Sequence, residues 1–275
     1  MSEIDLSVGY TQEALRAFGD DPARLQARML RYRDRTNAIL EASGAPVRLN
    51  ILAVEAVSGF RQSTFAADRK RFIRGKRGGE VLERMRDRTG ADVRLLLVNY
   101  RQRGSNVHYG GIFDTGRSRA GALKNAYVMI GTNADDVTFA HEIGHVLGCR
   151  HARRRPCLGG AGPGLPFGYG FRSREGIGTI MARSCATTRF VPLFSSPALS
   201  YNYKPVGAKA ETTIALGSET ADCVRAMVNN APYLAGLNKR KAAPLKDDAD
   251  GDLDPAPVIA DLNREPDPTG ISARR

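Results

Sequence analysis

The sequence predicts an α/β fold in which helices pack against a β-sheet. The main observation is that strand-like and helix-like patterns alternate along roughly the first half of the chain, which is typical of a sheet covered by helices. The second is the composition, since 42% of the 275 residues are apolar and 25% are charged, as in an ordinary globular protein. A chain of this length can bury a sizeable core. Folding therefore requires neither disulfide bonds nor a metal ion.

Short apolar runs predict four strands, at residues 4–10, 47–57, 93–98 and 126–130. Residues 101–125 are polar and rich in glycine, so we expect a loop there, with a possible edge strand around 107–113. Apolar residues near helical spacing, such as Leu25, Met29 and Tyr32, predict a helix from Asp21 to about Ala42. Further helices are expected at about residues 79–88 and 219–237.

The composition changes near residue 244. Residues 244–275 contain five of the 14 prolines, no aromatic residue, and four basic against eight acidic side chains. Such a segment cannot bury enough apolar surface to offset the entropy lost on ordering. We therefore expect one domain over residues 1–243, followed by an acidic, proline-rich, disordered tail at 244–275.

The net charge of +12 is compatible with binding to acidic partners. The basic clusters, around residues 69–77 and 150–155, lack the interleaved aromatic residues of a nucleic-acid-binding surface, so nucleic acid is an unfavoured partner. No stretch approaches the ~20 apolar residues of a membrane span, so no membrane association is expected. Residues 1–30 do not have the pattern of a secretory signal, but the four cysteines favour a secreted or exported protein over a cytoplasmic one.

One motif carries chemistry. Residues 141–151 have the pattern H-E-x-x-H-x-x-G-x-x-H, which places three of the four histidines of the chain within eleven residues. The specified positions are His141, Glu142, His145, Gly148 and His151. A chance match to five such positions has a probability on the order of 10⁻⁵ or lower. The motif is therefore far more specific than H-E-x-x-H alone.

The spacing of the motif predicts a catalytic zinc site. His141 and His145 are four residues apart, so on a helix both imidazoles can reach one ion. Gly148 can end the helix in a left-handed conformation, which lets the chain turn back and deliver His151 as the third ligand. Three histidines leave the fourth tetrahedral position open for water, whereas closed structural sites use four protein ligands.

Glu142 is the expected general base, because it follows His141 on the helix surface and can reach a water molecule at the metal. The predicted activity is therefore zinc-dependent hydrolysis of peptide bonds by one Zn²⁺ ion, with no nucleophilic side chain. Two other readings stay open. The protein could be a catalytically silent, zinc-stabilised binding protein, or a basic polyanion-binding protein with an incidental zinc site.

These residues resemble the metzincin clan of zinc endopeptidases, in which a methionine turn lies beneath the metal. The matching turn is at residues 178–182, 30 residues beyond His151, which makes Met181 the hydrophobic floor. Residues 191–197, V-P-L-F-S-S-P, are similar to a segment of bacterial reprolysin-like (adamalysin-type) peptidases. The resemblance covers about residues 1–238. It implies a twisted, mostly parallel sheet, an active-site helix, a C-terminal helix, a protein or peptide substrate and a monomer.

The chain departs from the reprolysin pattern at Ala152, where reprolysins usually have Asp. Arg183 stands where astacins and serralysins have Tyr, which argues against both of those families. By the resemblance, the segment after the methionine turn lines the pocket for the residue that follows the cleaved bond. Arg183 and Arg189 lie in this segment, so we expect a preference for Asp or Glu there.

Four cysteines allow three pairings. The most economical pairing joins Cys149 to Cys157 and Cys185 to Cys223, which would tie the methionine turn to the C-terminal helix.

Overall fold

A computed structural model describes residues 1–76, 78–100, 109–110, 126–153, 165–182, 189–205, 207 and 209–246. Its central element is a five-stranded sheet in the order β2-β1-β3-β5-β4. The strands are β1 (Ser2–Tyr10), β2 (Val47–Ala56), β3 (Val93–Val98), β4 (Tyr109–Gly110) and β5 (Tyr127–Gly131). Strands β1, β2, β3 and β5 are parallel to their neighbours, and β4 pairs antiparallel with β5 at the edge. The prediction of a mixed α/β protein with a mostly parallel sheet is confirmed.

Helices cover both faces of this sheet. They are α1 (Gln12–Ala17), α2 (Pro22–Ala42), α3 (Phe65–Arg74), α4 (Gly79–Thr89), α5 (Asp136–Val146) and α6 (Cys223–Leu234). Helices α2, α5 and α6 contribute to one apolar core, and α3 and α4 contribute to another. Strand β3 shows why both faces must be covered, because Leu95 and Leu97 enter the first core while Leu96 and Val98 enter the second. A parallel strand buried on both faces is a continuous apolar run.

A smaller region follows α5. It contains β6 (Ile177–Gly178), a 3₁₀ helix (Ile180–Ala182), β7 (Arg189–Phe190), and the antiparallel pair β8 (Ser196–Tyr203) and β9 (Thr212–Leu216). A separate apolar cluster that includes Ile177, Val191 and Leu216 holds this region together.

Several elements were not predicted. Helix α3 was missed because it is dominated by charged residues and buries only Asp68 and Phe72. Strands β8 and β9 were missed because β8 is largely exposed or half-buried and does not have the apolar face of a core strand. Of the predicted edge strand at 107–113, only Tyr109 and Gly110 belong to the described residues, and they form β4.

The last described residues still contact the domain. The Leu245 amide donates to the Ile51 carbonyl at 2.7 Å, and Arg33 donates to the Leu245 carbonyl at 2.9 Å. The rest of the predicted tail, residues 247–275, lies outside the described residues. None of the helices that the structure describes has the length and apolar character needed to cross a membrane.

Candidate metal centre

Helix α5 carries the first part of the motif, and its N-terminal end and one of its faces are held by specific contacts. Asp135 caps the helix by accepting from the Thr138 amide at 2.7 Å. Asp136, in the first turn, forms an ion pair with Arg31 at 2.9 Å. Phe139 stacks on Tyr32 of α2 with ring centroids 4.9 Å apart. The helix is therefore held against α2 along the core face, which leaves the histidines facing the region after α5.

The three histidines of the motif meet at one point. The Nε2 atom of His151 lies 2.9 Å from Nε2 of His141 and 3.1 Å from Nε2 of His145. All three ligand atoms lie within 4.8 Å of one another, and no other described His, Cys, Asp or Glu joins this group. Nitrogens bound tetrahedrally at about 2.0–2.1 Å from one ion would be separated by about 3.3 Å. The donor set and its spacing therefore fit a zinc ion.

Main-chain carbonyls orient two of these rings. The Nδ1 atom of His141 lies 3.0 Å from the Ile180 carbonyl oxygen, and Nδ1 of His145 lies 2.9 Å from that of Cys149. Since a carbonyl can only accept, we assign the ring proton to Nδ1 in both histidines. The lone pair of each Nε2 then faces the common point. Such outer hydrogen bonds fix the tautomer and the orientation of metal-binding histidines.

The surroundings favour uncharged imidazoles. Burial lowers the pKa of His145 well below its ordinary value, and the neighbouring His141 and His151 lower it further. Burial also lowers the pKa of His151. Neutral imidazole is the form that binds a metal ion. At neutral pH the cluster is therefore ready to bind one.

The turn that brings His151 to the cluster depends on Gly148. Its φ of +94° is in the left-handed region, as the motif predicts, and a Cβ there would lie 2.0 Å from the Asn230 amide nitrogen. Asn230 of α6 is buried and donates to the Leu147 carbonyl at 3.2 Å, at the end of α5. Sequence reasoning missed Asn230, because nothing in its local pattern shows that it lies against residues more than eighty positions away.

After the turn, the main chain of Arg150 pairs with a neighbouring segment. Its amide donates to the Gly168 carbonyl at 2.7 Å, and its carbonyl accepts from the Gly170 amide at 2.8 Å. These bonds fix the residue directly before His151.

Met181 lies against the helix that carries the histidines. It is fully buried, and it follows Ile180, whose carbonyl holds His141. A Cβ at Gly144 would come within 2.7 Å of both the Met181 sulfur and the Phe194 ring. A Cβ at Gly170 would come within 2.7 Å of the Met181 Cβ. Sequence reasoning did not identify Gly144 or Gly170, which allow this close packing.

Of the remaining predicted site residues, the structure describes Glu142 and Arg189. Glu142 is 6% exposed and follows His141 on α5. Arg183 lies outside the described residues. Arg189 is half-buried at the start of β7, with its guanidinium 5.9 Å from the centroid of the Tyr203 ring. The catalytic role of Glu142 and the pocket role of the two arginines stay predictions.

A second pair of arginines was not predicted to act together. Arg153 and Arg172 line a cavity of about 310 Å³. Ala152, the residue directly after His151, also lines this cavity. Arg153 also donates to the Pro166 carbonyl at 2.8 Å and lies 4.2 Å from the centroid of the Tyr169 ring. Its guanidinium is therefore held in place beside the cavity.

The predicted cysteine pairing stays a prediction. Cys149 and Cys223 are both free thiols and both are buried. Their predicted partners, Cys157 and Cys185, lie outside the described residues. The fold brings the end of α5 against the start of α6, so that Cys149 lies against Cys223, which the sequence did not predict.

Comparisons with known proteins agree with this geometry. The chain is 29% identical over 275 aligned residues to a peptidyl-Asp metalloendopeptidase of Pseudomonas aeruginosa, with 92% of this chain and 43% of the relative covered. It is also 29% identical to a peptidyl-Asp metalloendopeptidase of Stenotrophomonas maltophilia, with 71% of this chain and 44% of the relative covered. The chain therefore spans less than half the length of these relatives.

A solved structure described as "Structure of a chaperone-substrate complex" has a similar fold, with a TM-score of 0.62 and 22% sequence identity. The match covers 87% of this chain and 35% of that one. A reprolysin model, described as metallo-peptidase family M12, matches residues 1–195, which include the complete histidine cluster and Met181. On this match, the chain belongs to metallo-peptidase family M12.

Proposed function

We propose that this protein is a zinc-dependent endopeptidase of the metzincin type. The observation that carries the proposal is the convergence of three histidine Nε2 atoms at the end of a helix on which Glu142 directly follows the first of them. Membership of family M12 supports the same activity.

In the proposed reaction, His141, His145 and His151 hold the zinc ion. The chemistry that a bound zinc ion supplies is the activation of water at neutral pH and the polarisation of the scissile carbonyl. The Glu142 carboxylate accepts a proton from the attacking water and then donates it to the nitrogen of the leaving amine. The water oxygen becomes part of the new carboxyl group, so the peptide bond is cleaved without a covalent enzyme intermediate.

Other residues position these groups. The Ile180 and Cys149 carbonyls keep the Nδ1 protons of His141 and His145 away from the metal side. Met181 and Phe194 pack against Gly144, directly before His145, and so support the helix from below. We therefore propose that Met181 is the hydrophobic floor of the site.

We propose further that the substrate is a protein or peptide with an acidic residue next to the cleaved bond. The names of the relatives, peptidyl-Asp metalloendopeptidases, support this preference. In the wall that follows Met181, Arg183 and Arg189 are the predicted cations. The Arg153 and Arg172 cavity beside His151 is the competing location for carboxylate recognition. The edge strand β4, which lies beside β5, is the proposed place for an extended substrate.

The proposed catalytic domain is residues 1–243, with the acidic segment from 244 as a tail of which Leu245 still contacts the body. We also propose that the protein is a monomer that acts outside the cytoplasm, where four cysteines can be oxidised.

A cleavage map of a complex peptide library tests the activity. The zinc-loaded protein is compared with Glu142→Gln, which keeps the size of the side chain but cannot take up the proton. Cuts made only by the wild-type protein, enriched in Asp or Glu at one position, would support both parts of the proposal. Equal zinc content with no cuts by either protein would favour the zinc-stabilised binding protein. Salt-dependent binding to a polyanion that survives chelation would favour the polyanion-binding alternative.

A further inference from the structure

Two buried thiols meet where the end of α5 approaches the start of α6. Cys149 and Cys223 are both 0% exposed. They are 74 positions apart in the chain, so the fold brings them together. The Cys149 sulfur lies 3.8 Å from the carbonyl oxygen of Cys223, and both cysteines belong to the same apolar core cluster. The Cys223 sulfur lies 3.9 Å from the Gly168 carbonyl oxygen. The Cys149 thiol therefore lies against residue 223 in the folded protein.

The main chain fixes both cysteines. The Cys149 amide donates to the Gly144 carbonyl at 2.8 Å, within the turn that ends α5. The Cys223 amide donates to the Ser195 hydroxyl at 3.1 Å, and that hydroxyl donates to the Tyr169 carbonyl at 2.7 Å. Because both backbone positions are anchored, the approach of Cys149 to residue 223 is a property of the fold.

We propose that Cys149 and Cys223 are the site of a disulfide bond that forms when the protein folds under oxidising conditions. The two thiols lose two protons and two electrons as the S–S bond forms. A low-molecular-weight disulfide such as oxidised glutathione accepts them, and its own S–S bond breaks to give two thiols. The exchange passes through a mixed disulfide on one cysteine, which the other cysteine then resolves.

The bond would join two parts of the metal centre. The Cys149 carbonyl accepts from His145, and His151 follows two residues later, so one side of the cross-link belongs to the turn that presents the histidines. The other side is the first residue of α6, whose Asn230 holds the end of α5. A cross-link that closes a long loop stabilises chiefly by restricting the unfolded chain.

The burial of both sulfurs determines when the bond can form. An external disulfide cannot reach either thiol in the native protein, so exchange takes place before the core closes or during local opening. The same burial protects the finished bond from reductants. We therefore expect oxidation to accompany folding, and we expect native reduced protein to resist oxidation.

Disulfide mapping tests this inference independently of any peptidase activity. The reduced, denatured chain is refolded in a mixture of reduced and oxidised glutathione, its remaining thiols are alkylated, and it is digested without reduction. We expect one cross-linked peptide pair that contains Cys149 and Cys223 and separates on reduction. Alkylation of both cysteines, or a link from Cys149 to Cys157, would overturn the proposal.

Thermal unfolding provides the second measurement. For the wild-type protein, oxidative refolding should raise Tm by roughly 5–15 °C relative to refolding in reductant. Cys223→Ala should lose this difference, whereas a matched control with Cys157→Ala and Cys185→Ala should keep it. An equal shift in Cys223→Ala would contradict the assignment. If Cys223→Ala does not fold, the peptide map of the wild-type protein still shows whether Cys149 is linked to Cys223.

Discussion

Gly144 and Met181 are in such close contact that a methyl group can be added between them only if neighbouring side chains move. The β-carbon of an alanine at position 144 would lie 2.7 Å from the methionine sulfur. The close approach of α5 to the 3₁₀ helix thus depends on the absence of a side chain at one position of the motif.

This contact makes Gly144→Ala an overpacking variant. Because Met181 and the Phe194 ring would both have to move, we expect a loss of about 1–3 kcal/mol in the free energy of unfolding. We also expect weaker zinc retention, since His145 is the next residue. Gly236→Ala is the control, because a Cβ there would make only ordinary contacts at 3.6 Å. Thermal unfolding and zinc content after dialysis measure both effects. Equal results for the two variants would contradict this interpretation.

Gly148 and Asn230 should show strong coupling in a double-mutant cycle. Gly148→Ala combines backbone strain at φ +94° with a clash against the Asn230 amide, and Asn230→Ala leaves the Leu147 carbonyl without its donor. We expect Asn230→Ala alone to cost about 1–3 kcal/mol. In its background, the added cost of Gly148→Ala should fall, because only the strain remains. Additive costs, measured by chemical denaturation, would show that the clash is relieved in another way.

Removal of the metal should destabilise the protein. A ligand that binds only the folded state stabilises it by about 2.7 kcal/mol at a concentration one hundred times its Kd. Treatment with a chelator should therefore lower Tm, and added zinc should restore it. His151→Ala should have a low Tm that neither treatment changes. A chelator effect of the same size in this variant would place the metal elsewhere.

Asp92 should give the protein an unusual pH dependence. Burial, with a smaller contribution from the Asp5 charge, raises the pKa of Asp92 to about 7, although the amides of Asp5 and Asn238 and the Arg240 guanidinium oppose the rise. The neutral acid is thus the favoured form in the folded state below about pH 7. The stability from this group is fully present below the unfolded pKa of about 4 and is lost as the pH rises through 7.

Asp92→Asn isolates this effect, since the amide stays neutral. At pH 4 we expect Asp92→Asn to be less stable than the wild-type protein. The amides of Asp5 and Asn238 each donate to one oxygen of Asp92, and an asparagine side chain offers only one oxygen. As the pH rises from 4 to 8, the wild-type protein should lose stability relative to the variant by on the order of 2–4 kcal/mol. Parallel curves of Tm against pH would show that the Asp92 carboxyl does not titrate in this range.

Two arginine variants separate the candidate locations for recognition of an acidic substrate residue. If the wall after Met181 binds the carboxylate, Arg189→Ala should lower kcat/KM for peptides with Asp next to the bond by about 10- to 100-fold, the usual value of a charged hydrogen bond. Matched peptides with Ala should be affected little. A selective loss in Arg172→Ala would instead assign recognition to the cavity beside His151. Arg74→Ala on α3, which packs on the opposite face of the sheet, is the control.

Local patterns were sufficient to predict much of the fold and the members of the histidine cluster. The apolar run of β3 predicts its bounds without error, because a strand buried on both faces needs a continuous apolar sequence. His141, His145 and His151 could be identified because the geometry of one helix and one glycine turn fixes their spacing.

Residues that act through distant contacts could not be predicted in this way. Asn230, Gly170 and the contact of the Cys149 thiol with the Cys223 carbonyl all depend on which segments meet in the folded chain. Helix α3 was missed for a different reason. Five of its ten residues are charged, and Phe72 is its only large apolar side chain that is fully buried, so its apolar pattern is weak.

The carbonyls that hold His141 and His145 have a further consequence for how this site can vary between related proteins. A main-chain carbonyl is present whatever side chain the residue carries. Substitutions at positions 149 and 180 can therefore change packing or redox chemistry without removing the acceptors that orient the two rings. An imidazole oriented by a carboxylate can be released by one point mutation, whereas these two can be released only by moving the backbone.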